Sequence, residues 1–343
     1  MIYPESDLNK TWNNTKASTV SVVVPLYNKG GYIERALSSV LAQTHAPLEI
    51  IIVDDGSTDD GPERVQKFKD ARIILISQGN KGPGAARNAG LAMAKGKYIT
   101  FLDADDEWLP TFLERGVAML EDREANVTVV FTGFHYSPDT RRRNPIQYEE
   151  LGGVFEITGD TDLSRVRRLI GFHWTCATIV RSDVIRQSGG FFDRHKCLYG
   201  EDVYLFLKLM FNERIGIIPE PLAIYHTEAS HLYGGGSLIR NSSFIAPYLE
   251  YPEEMLASCP QSTLHIMKKE LATIAIGKAR NLAMLGRKRE ATELLERFTR
   301  NGYPHIKGTL SVRLLVIVSP LLPAARRVWR AAKSMAALGR AQQ

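Results

Sequence analysis

Four short apolar runs, each ending in a polar or glycine-rich turn, restrict this 343-residue chain more than any other feature. Thr19 to Val24 is β-branched at nearly every position and stops at Pro25, Leu48 to Val53 ends in Asp54-Asp55-Gly56-Ser57-Thr58-Asp59, Ile73 to Ile76 precedes Gly79 to Gly84, and Lys97 to Leu102 runs into Asp103-Ala104-Asp105-Asp106. Continuous apolar runs of this length suit strands covered on both faces. Between them the periodicity changes to that of a helix. Ile33, Ala36, Leu37, Val40 and Leu41 fall on one face, a polar helix opens near Pro62, and Ala85 to Ala94 forms a third. Strands alternating with helices at this spacing build a parallel α/β sheet, in which ligands bind beyond the carboxyl ends of the strands. All four turns belong to that rim.

The fourth turn is the most demanding. Three carboxylates, Asp103, Asp105 and Asp106, are packed into four positions, and charges that close must be solvated, protonated or given a cation. Oxygen-only ligands with open positions left over point to Mg²⁺ or Mn²⁺ held against substrate phosphates. A solvated loop capping the next helix at Pro110 is the plainer reading of an isolated acidic turn.

After Glu107 the alternation weakens. Helices are expected over Phe112 to Leu120 and from Glu201, strands over Val127 to Thr132, Phe172 to Arg181, Ile215 to Ile218 and Leu222 to His226, and helices again over Leu264 to Leu285 and Lys288 to Phe298. Ser230 to Ser237 is a glycine-rich loop. The expected organisation is an N-terminal extension over 1–18, an α/β domain over 19–240 with a nucleotide-binding half (19–108) and an acceptor-binding half (109–240), and a basic helical region over 241–343.

Composition narrows the class. The 44% apolar and 24% charged content is that of a folded protein, and three cysteines, Cys176, Cys197 and Cys259, with no CxxC pair argue for a reducing compartment without a disulfide framework. Met1 to Ser18 has no apolar core of a signal peptide. The net charge of +5 divides unequally: the chain from Pro260 onward carries 16 Lys and Arg against 4 Asp and Glu, or +12, which leaves −7 on the first 259 residues. A segment so polarised suits either an anionic surface such as inner-leaflet headgroups, or docking of a basic helical face on the acidic body. Val312 to Val318 with Leu321-Leu322, flanked by Arg326, Arg327, Arg330 and Lys333, is too short to span a bilayer and fits a basic amphipathic element. No nucleic-acid partner is expected. Two nucleotide motifs are excluded: Gly82 to Arg87 lacks the third glycine of a dinucleotide fingerprint, and Gly96-Lys97-Tyr98 has no Ser or Thr after its lysine and no glycine at Leu91.

Six ordered motifs resemble those of family 2 glycosyltransferases. They are Val22 to Lys29, Ile52 to Asp59, Gly84-Ala85-Ala86-Arg87-Asn88-Ala89-Gly90, Phe101 to Asp106, Gly189-Gly190-Phe191 and Gly200-Glu201-Asp202. The match covers roughly Ser18 to Tyr233. The resemblance implies a GT-A type fold, with a Rossmann-like, mostly parallel central sheet flanked by helices and here extended by C-terminal helices, and an inverting, nucleotide-sugar-dependent transfer. It implies Pro25, Tyr27 and Asn28 beside the base, Asp55 on uracil or ribose with Asp54 as its neighbour, and Lys81 and Arg87 near base or diphosphate. Asp103, Asp105 and Asp106 fall on the family's DxD motif. One would bind ribose and the last one or two the divalent cation, with two registers open, Asp103/Asp105 or Asp105/Asp106. His226 is a candidate metal or diphosphate ligand, Asp202 the base, and Glu201 its positioning partner. The implied activity is transfer from a UDP-sugar to a hydroxyl of a glycan or lipid-linked acceptor, on the cytoplasmic side and peripheral to the membrane. A sugar-nucleotide nucleotidyltransferase would need a glycine- and basic-rich loop after the first strand, which Leu26 to Gly30 does not supply. A non-catalytic nucleotide-sugar-binding scaffold is the remaining alternative.

Overall fold

The structure is a computed structural model that describes residues 18–138, 152–229, 245–299 and 302–304. The Ser230 to Ser237 loop, positions 1–17 of the N-terminal extension and the apolar and basic segment at 312–333 lie outside the described residues.

Among the described residues, one compact unit runs through position 229 and adds Ala246–Thr263. Its first half alternates as the sequence dictates: β1 (Val20–Leu26), α1 (Gly30–Leu41), β2 (Glu49–Asp54), α2 (Gly61–Gln66), β3 (Ile73–Ser77), α3 (Pro83–Met93) and β4 (Tyr98–Phe101). These strands pair in parallel in the order β3-β2-β1-β4. The alternation of side chains along β1 divides its valines between two helical layers. Val22, Val24 and Leu26 join Ile33, Leu37 and Val40 of α1 in one core, while Val23 faces Gly90 of α3. Register then lines up the strand ends, with Leu26 opposite Asp54 and Asp54 opposite Ser77. Three of the four turns therefore leave the sheet at one level.

The second half is mixed rather than parallel. It comprises β5 (Glu107–Trp108), α4 (Phe112–Glu121), β6 (Val129–Ser137), β7 (Gly153–Phe155), α5 (Leu163–Phe172), β8 (Thr178–Arg181), α6 (Ser182–Gln187), α7 (Glu201–Asn212) and β9 (Ile215–His226). The sheet continues β4-β8-β6-β9-β5, with β7 on β9. Several expected boundaries are corrected. The strand expected over Phe172 to Arg181 is only β8, because Asp162 caps α5 by accepting from the Ser164 amide at 2.7 Å, the helix runs to Phe172, and Thr175–Ala177 form a 3₁₀ turn. The two expected short strands are the single β9, which passes Pro219 and Pro221 where its register against β6 shifts. β6 extends five residues past Thr132 because it keeps pairing beyond that shift. α8 (Pro247–Glu250) and α9 (Pro252–Ala257) complete this unit.

The second unit contains α10 (Leu264–Met284) and α11 (Lys288–Thr299), two helices joined at Gly286, where φ is +80°. Leu271, Ala275, Ala279 and Leu282 on the first and Ala291, Leu294, Leu295 and Phe298 on the second are buried. Among the described residues no helix is long and apolar enough to cross a membrane.

Candidate active site

Antiparallel pairing brings the two halves together at one rim. Because β8 runs against β4, its leading residues lie beside the end of β4, and the Asp103 amide donates to Cys176 Sγ at 3.2 Å. Because β5 runs against β9, with Glu107 opposite Ile224, the His226 amide reaches Asp106 Oδ1 at 2.9 Å. The acidic turn is thus clasped by two strand ends that are distant in sequence.

Its three aspartates have different surroundings. Asp105 Oδ2 accepts from Lys29 Nζ at 2.6 Å, and that ammonium also donates to the Ala229 carbonyl at 2.7 Å. Burial and the charge of Asp103 raise the Asp105 carboxyl above its usual range, against the pull of Lys29. Asp106 is 1% exposed, and burial followed by Asp103 and Asp105 pushes it well above its ordinary value. Asp106 Oδ2 accepts from Cys176 Sγ at 3.5 Å. Carboxylate oxygens of Asp103 and Asp106 and the sulfur of Cys176 lie within 4.8 Å of one another. The two carboxylates fit a hard divalent cation, which would relieve their mutual repulsion. Burial, then Asp103 and Asp106, keep the Cys176 thiol well above its usual pKa, so it stays protonated and adds no hard ligand.

His226 is placed differently from the expected ligand. Its Nδ1 lies 2.7 Å from Glu228 Oε1 and its Nε2 3.2 Å from Glu107 Oε2. Both ring nitrogens are engaged, and it is the backbone N–H that touches the acidic turn. Lys29, which reaches Asp105, was not among the residues singled out for charge; its only signal in the sequence is a place one residue after Asn28 on the same rim.

Just past β2, Asp55 is almost fully buried and already accepts three hydrogen bonds. Gln78 Nε2 and the Lys81 amide reach Oδ1 and the Gly82 amide reaches Oδ2, all at 2.8 Å. About four lone-pair positions serve a carboxylate, so Asp55 both fixes the loop after β3 and keeps one acceptor position. Asp54 Oδ1 accepts from the Ser57 amide at 2.8 Å. Asn28, in the left-handed region at φ 51°, takes the Thr58 amide on its Oδ1 at 2.8 Å and so ties the first turn to the second. Pro25 lies in β1 opposite Val53, and Tyr27 is 46% exposed at the lip of the rim.

A further pair of carboxylates enters through α7. Gly200, at φ +81°, turns the chain so that Glu201 and Asp202 open the helix, where its dipole favours acidic residues. Asp202 Oδ2 accepts from Thr175 Oγ1 at 3.3 Å and Oδ1 from the Val203 amide at 2.7 Å. Glu201 is buried, and burial plus the neighbouring Asp202 push its carboxyl up to about 7, against the pull of Arg87. Arg87 NH1 donates to Glu201 Oε1 at 2.9 Å and NH2 to Asp103 Oδ1 at 2.7 Å. The Lys81 side chain makes no such contact with the acidic turn; only its backbone N–H, on Asp55, is fixed there.

The glycosyl transferase family 2 model matches residues 21–189. The UDP-Glc:alpha-D-GlcNAc-diphosphoundecaprenol beta-1,3-glucosyltransferase WfgD of Escherichia coli is 30% identical over 200 residues, which cover 58% of this chain and 72% of that protein. The chain belongs to glycosyltransferase family 2. This glycosyltransferase is also 31% identical over 226 residues to the uncharacterized glycosyltransferase EpsJ of Bacillus subtilis, covering 62% of each. It is 46% identical over 105 residues to the uncharacterized glycosyltransferase alr2836 of Nostoc, a match that covers 30% of this chain and only 33% of that protein. Two solved structures share the fold. Staphylococcal (S. aureus) TarS in complex with UDP-GlcNAc matches with a TM-score of 0.65 at 21% identity, over 90% of this chain and 87% of that one. The mannosyltransferase PcManGT of Pyrobaculum calidifontis, in complex with GDP-Man and Mn²⁺, matches with a TM-score of 0.54 at 19% identity, over 95% and 88%. The chain therefore has the GT-A-like α/β architecture of these structures.

Proposed function

We propose that this glycosyltransferase is inverting and metal-assisted, and that it moves a sugar from a UDP-sugar to a hydroxyl of a glycan or lipid-linked acceptor in cell-surface polysaccharide synthesis. The observation that carries the reading is that two carboxylates suited to a divalent cation, Asp103 and Asp106, share one rim with the Glu201-Asp202 pair at the start of α7. The uridine choice is supported by the donor in the name of WfgD and by the ligand of the TarS structure, and the cation by the Mn²⁺ of PcManGT.

Asp103 and Asp106 would hold Mn²⁺ or Mg²⁺, which when bound supplies positive charge to a departing nucleoside diphosphate. Lys29 holds Asp105 away from that task and fixes the turn against β1. Pro25, Tyr27, Asn28, Asp54, Asp55 and the loop carrying Lys81 line the position of the base and ribose, with Tyr27 offering a face for stacking and Asp55 its remaining acceptor position. Single displacement requires a base on the opposite side of the sugar from the leaving group. Asp202 takes the acceptor hydroxyl proton, held in orientation by Thr175 and the Val203 amide. Contact of the basic C-terminal region with the inner leaflet belongs to the same proposal.

A thermal-shift panel tests it with UDP, GDP, UDP-glucose and UDP-N-acetylglucosamine, each with and without Mn²⁺. A ligand at 100 times its Kd stabilises by about 2.7 kcal/mol. UDP compounds should raise the melting temperature more with Mn²⁺ than without, and more than GDP does. Equal shifts for both nucleotides would remove the uridine claim, and none at all would remove the reading.

A further inference from the structure

We infer that Arg87 is a positioning residue that holds the donor-side carboxylate Asp103 and the acceptor-side carboxylate Glu201 in register, rather than a ligand of the nucleotide. The inference rests on the glycosyltransferase reading and assigns to Arg87 a role different from the base or diphosphate contact its motif suggests.

The guanidinium is enclosed. The Arg87 side chain is 6% exposed, against 29% for Asp103 and 8% for Glu201. Arginine binds a phosphate or a single carboxylate best with two parallel N–H donors on one partner. Here the fork is split, with NH1 on Glu201 and NH2 on Asp103, and Nε is buried with no acceptor. That choice forgoes bidentate pairing with either acid and joins residues 16 and 114 positions away. The ring of Phe191 lies with its centroid 5.2 Å from the guanidinium carbon and closes one side. The local sequence is fitted to the same contact: at Gly84, one turn earlier on α3, a Cβ would sit 2.3 Å from the Phe192 carbonyl oxygen and 3.3 Å from Glu201 Cγ. Only a glycine there lets α3 come close enough for Arg87 to reach Glu201.

Without the guanidinium, the Asp103 and Glu201 carboxyl groups would lose the donor that ties them to each other. A displacement reaction tolerates little movement of such groups, since misplacing a reacting group by about 1 Å costs about 10²-fold in rate. Arg87 therefore sets the distance between the two carboxylate groups that serve donor and acceptor.

The test compares Arg87→Met and Arg87→Lys with the parent chain, using UDP without metal for binding by calorimetry, so that the readout does not pass through Asp103, and turnover at saturating Mn²⁺ of whichever UDP-sugar the thermal-shift panel selects. Arg87→Met is expected to lower kcat by about 100-fold while metal-free UDP affinity stays within about threefold of the parent, a change of under 1 kcal/mol. Arg87→Lys, which keeps the charge but reaches one acid at a time, should recover part of kcat at the same metal-free UDP affinity. Parallel loss of metal-free UDP affinity would make Arg87 a nucleotide ligand and overturn the inference. So would an unchanged kcat in both variants. Should Arg87→Met fail to fold, Arg87→Lys decides alone by the same split between kcat and metal-free UDP affinity. Failure of the parent chain to bind UDP or any UDP-sugar would instead overturn the donor reading, a distinct result.

Discussion

Lys29 Nζ and Asp105 Oδ2 are 2.6 Å apart, so the end of the first strand is pinned to the acidic turn that follows the fourth. Asp105, so held, lies outside the group in which carboxylate oxygens of Asp103 and Asp106 come within 4.8 Å of one another. Asp103→Asn and Asp106→Asn should each weaken Mn²⁺-dependent UDP binding more than Asp105→Asn does. For the last, an outer-shell loss of about 10-fold is expected. Titration of UDP in the presence of Mn²⁺, across the three variants, checks the order; an Asp105→Asn loss exceeding both others would restore the register that includes Asp105.

Close approach of α3 to the sheet is set by Gly90, where a Cβ would lie 2.3 Å from Val23 Cγ1. Gly90→Ala should destabilise the fold by about 1–3 kcal/mol, the usual range for overpacking a core. The partner offers a rescue. Adding Val23→Ala removes the clashing methyls, so the double variant should lose less than the sum of the two single changes. Chemical denaturation of the four proteins measures that coupling.

Glu201 carries a pH dependence with a definite sign. Its carboxyl rises from an ordinary 4.5 to about 7 in the folded protein, so between those values the folded state holds a proton that the unfolded chain has released. Stability from this group is therefore full below about pH 4.5 and declines as pH rises toward 7, then levels off. Glu201→Gln has no such proton. The melting temperature of the parent minus that of Glu201→Gln should fall between pH 5 and about 7, and a difference that rises over this interval would show the carboxyl held below its ordinary range.

The four strand ends were readable because continuous β-branched runs broken by Pro25, Asp54, Gly79 and Asp103 leave few alternatives to a parallel sheet with one polar rim. Glu201 and Asp202 were singled out only through the resemblance to family 2 glycosyltransferases. What lay hidden was set by long-range pairing. Lys29 on Asp105, Arg87 on Glu201 and the His226 amide on Asp106 each join residues 76 or more positions apart, and nothing in local periodicity records which partner a side chain will meet. The helix at Leu163–Phe172 was legible in principle from Asp162 at its cap and Val166, Leu169 and Phe172 on its buried face, but its arginine-rich exposed positions mask the pattern.

Asp202 is where the mechanism is most exposed to test. Its two oxygens accept from the Thr175 hydroxyl and the Val203 amide, bonds that orient a carboxylate without neutralising it. Asp202→Asn keeps the volume and the position but removes the ability to accept a proton. General-base assistance contributes about 10²–10⁴-fold, so transfer should fall by that factor. The proposed donor site lies at the strand ends, and UDP affinity with Mn²⁺ should stay within about threefold, under 1 kcal/mol. Thr175→Val removes only one of the orienting bonds and should cost less than the asparagine variant, with the larger part in kcat. Turnover of Asp202→Asn at the parent rate would move the base elsewhere on the rim; joint loss of turnover and UDP affinity would place Asp202 on the donor instead of the acceptor.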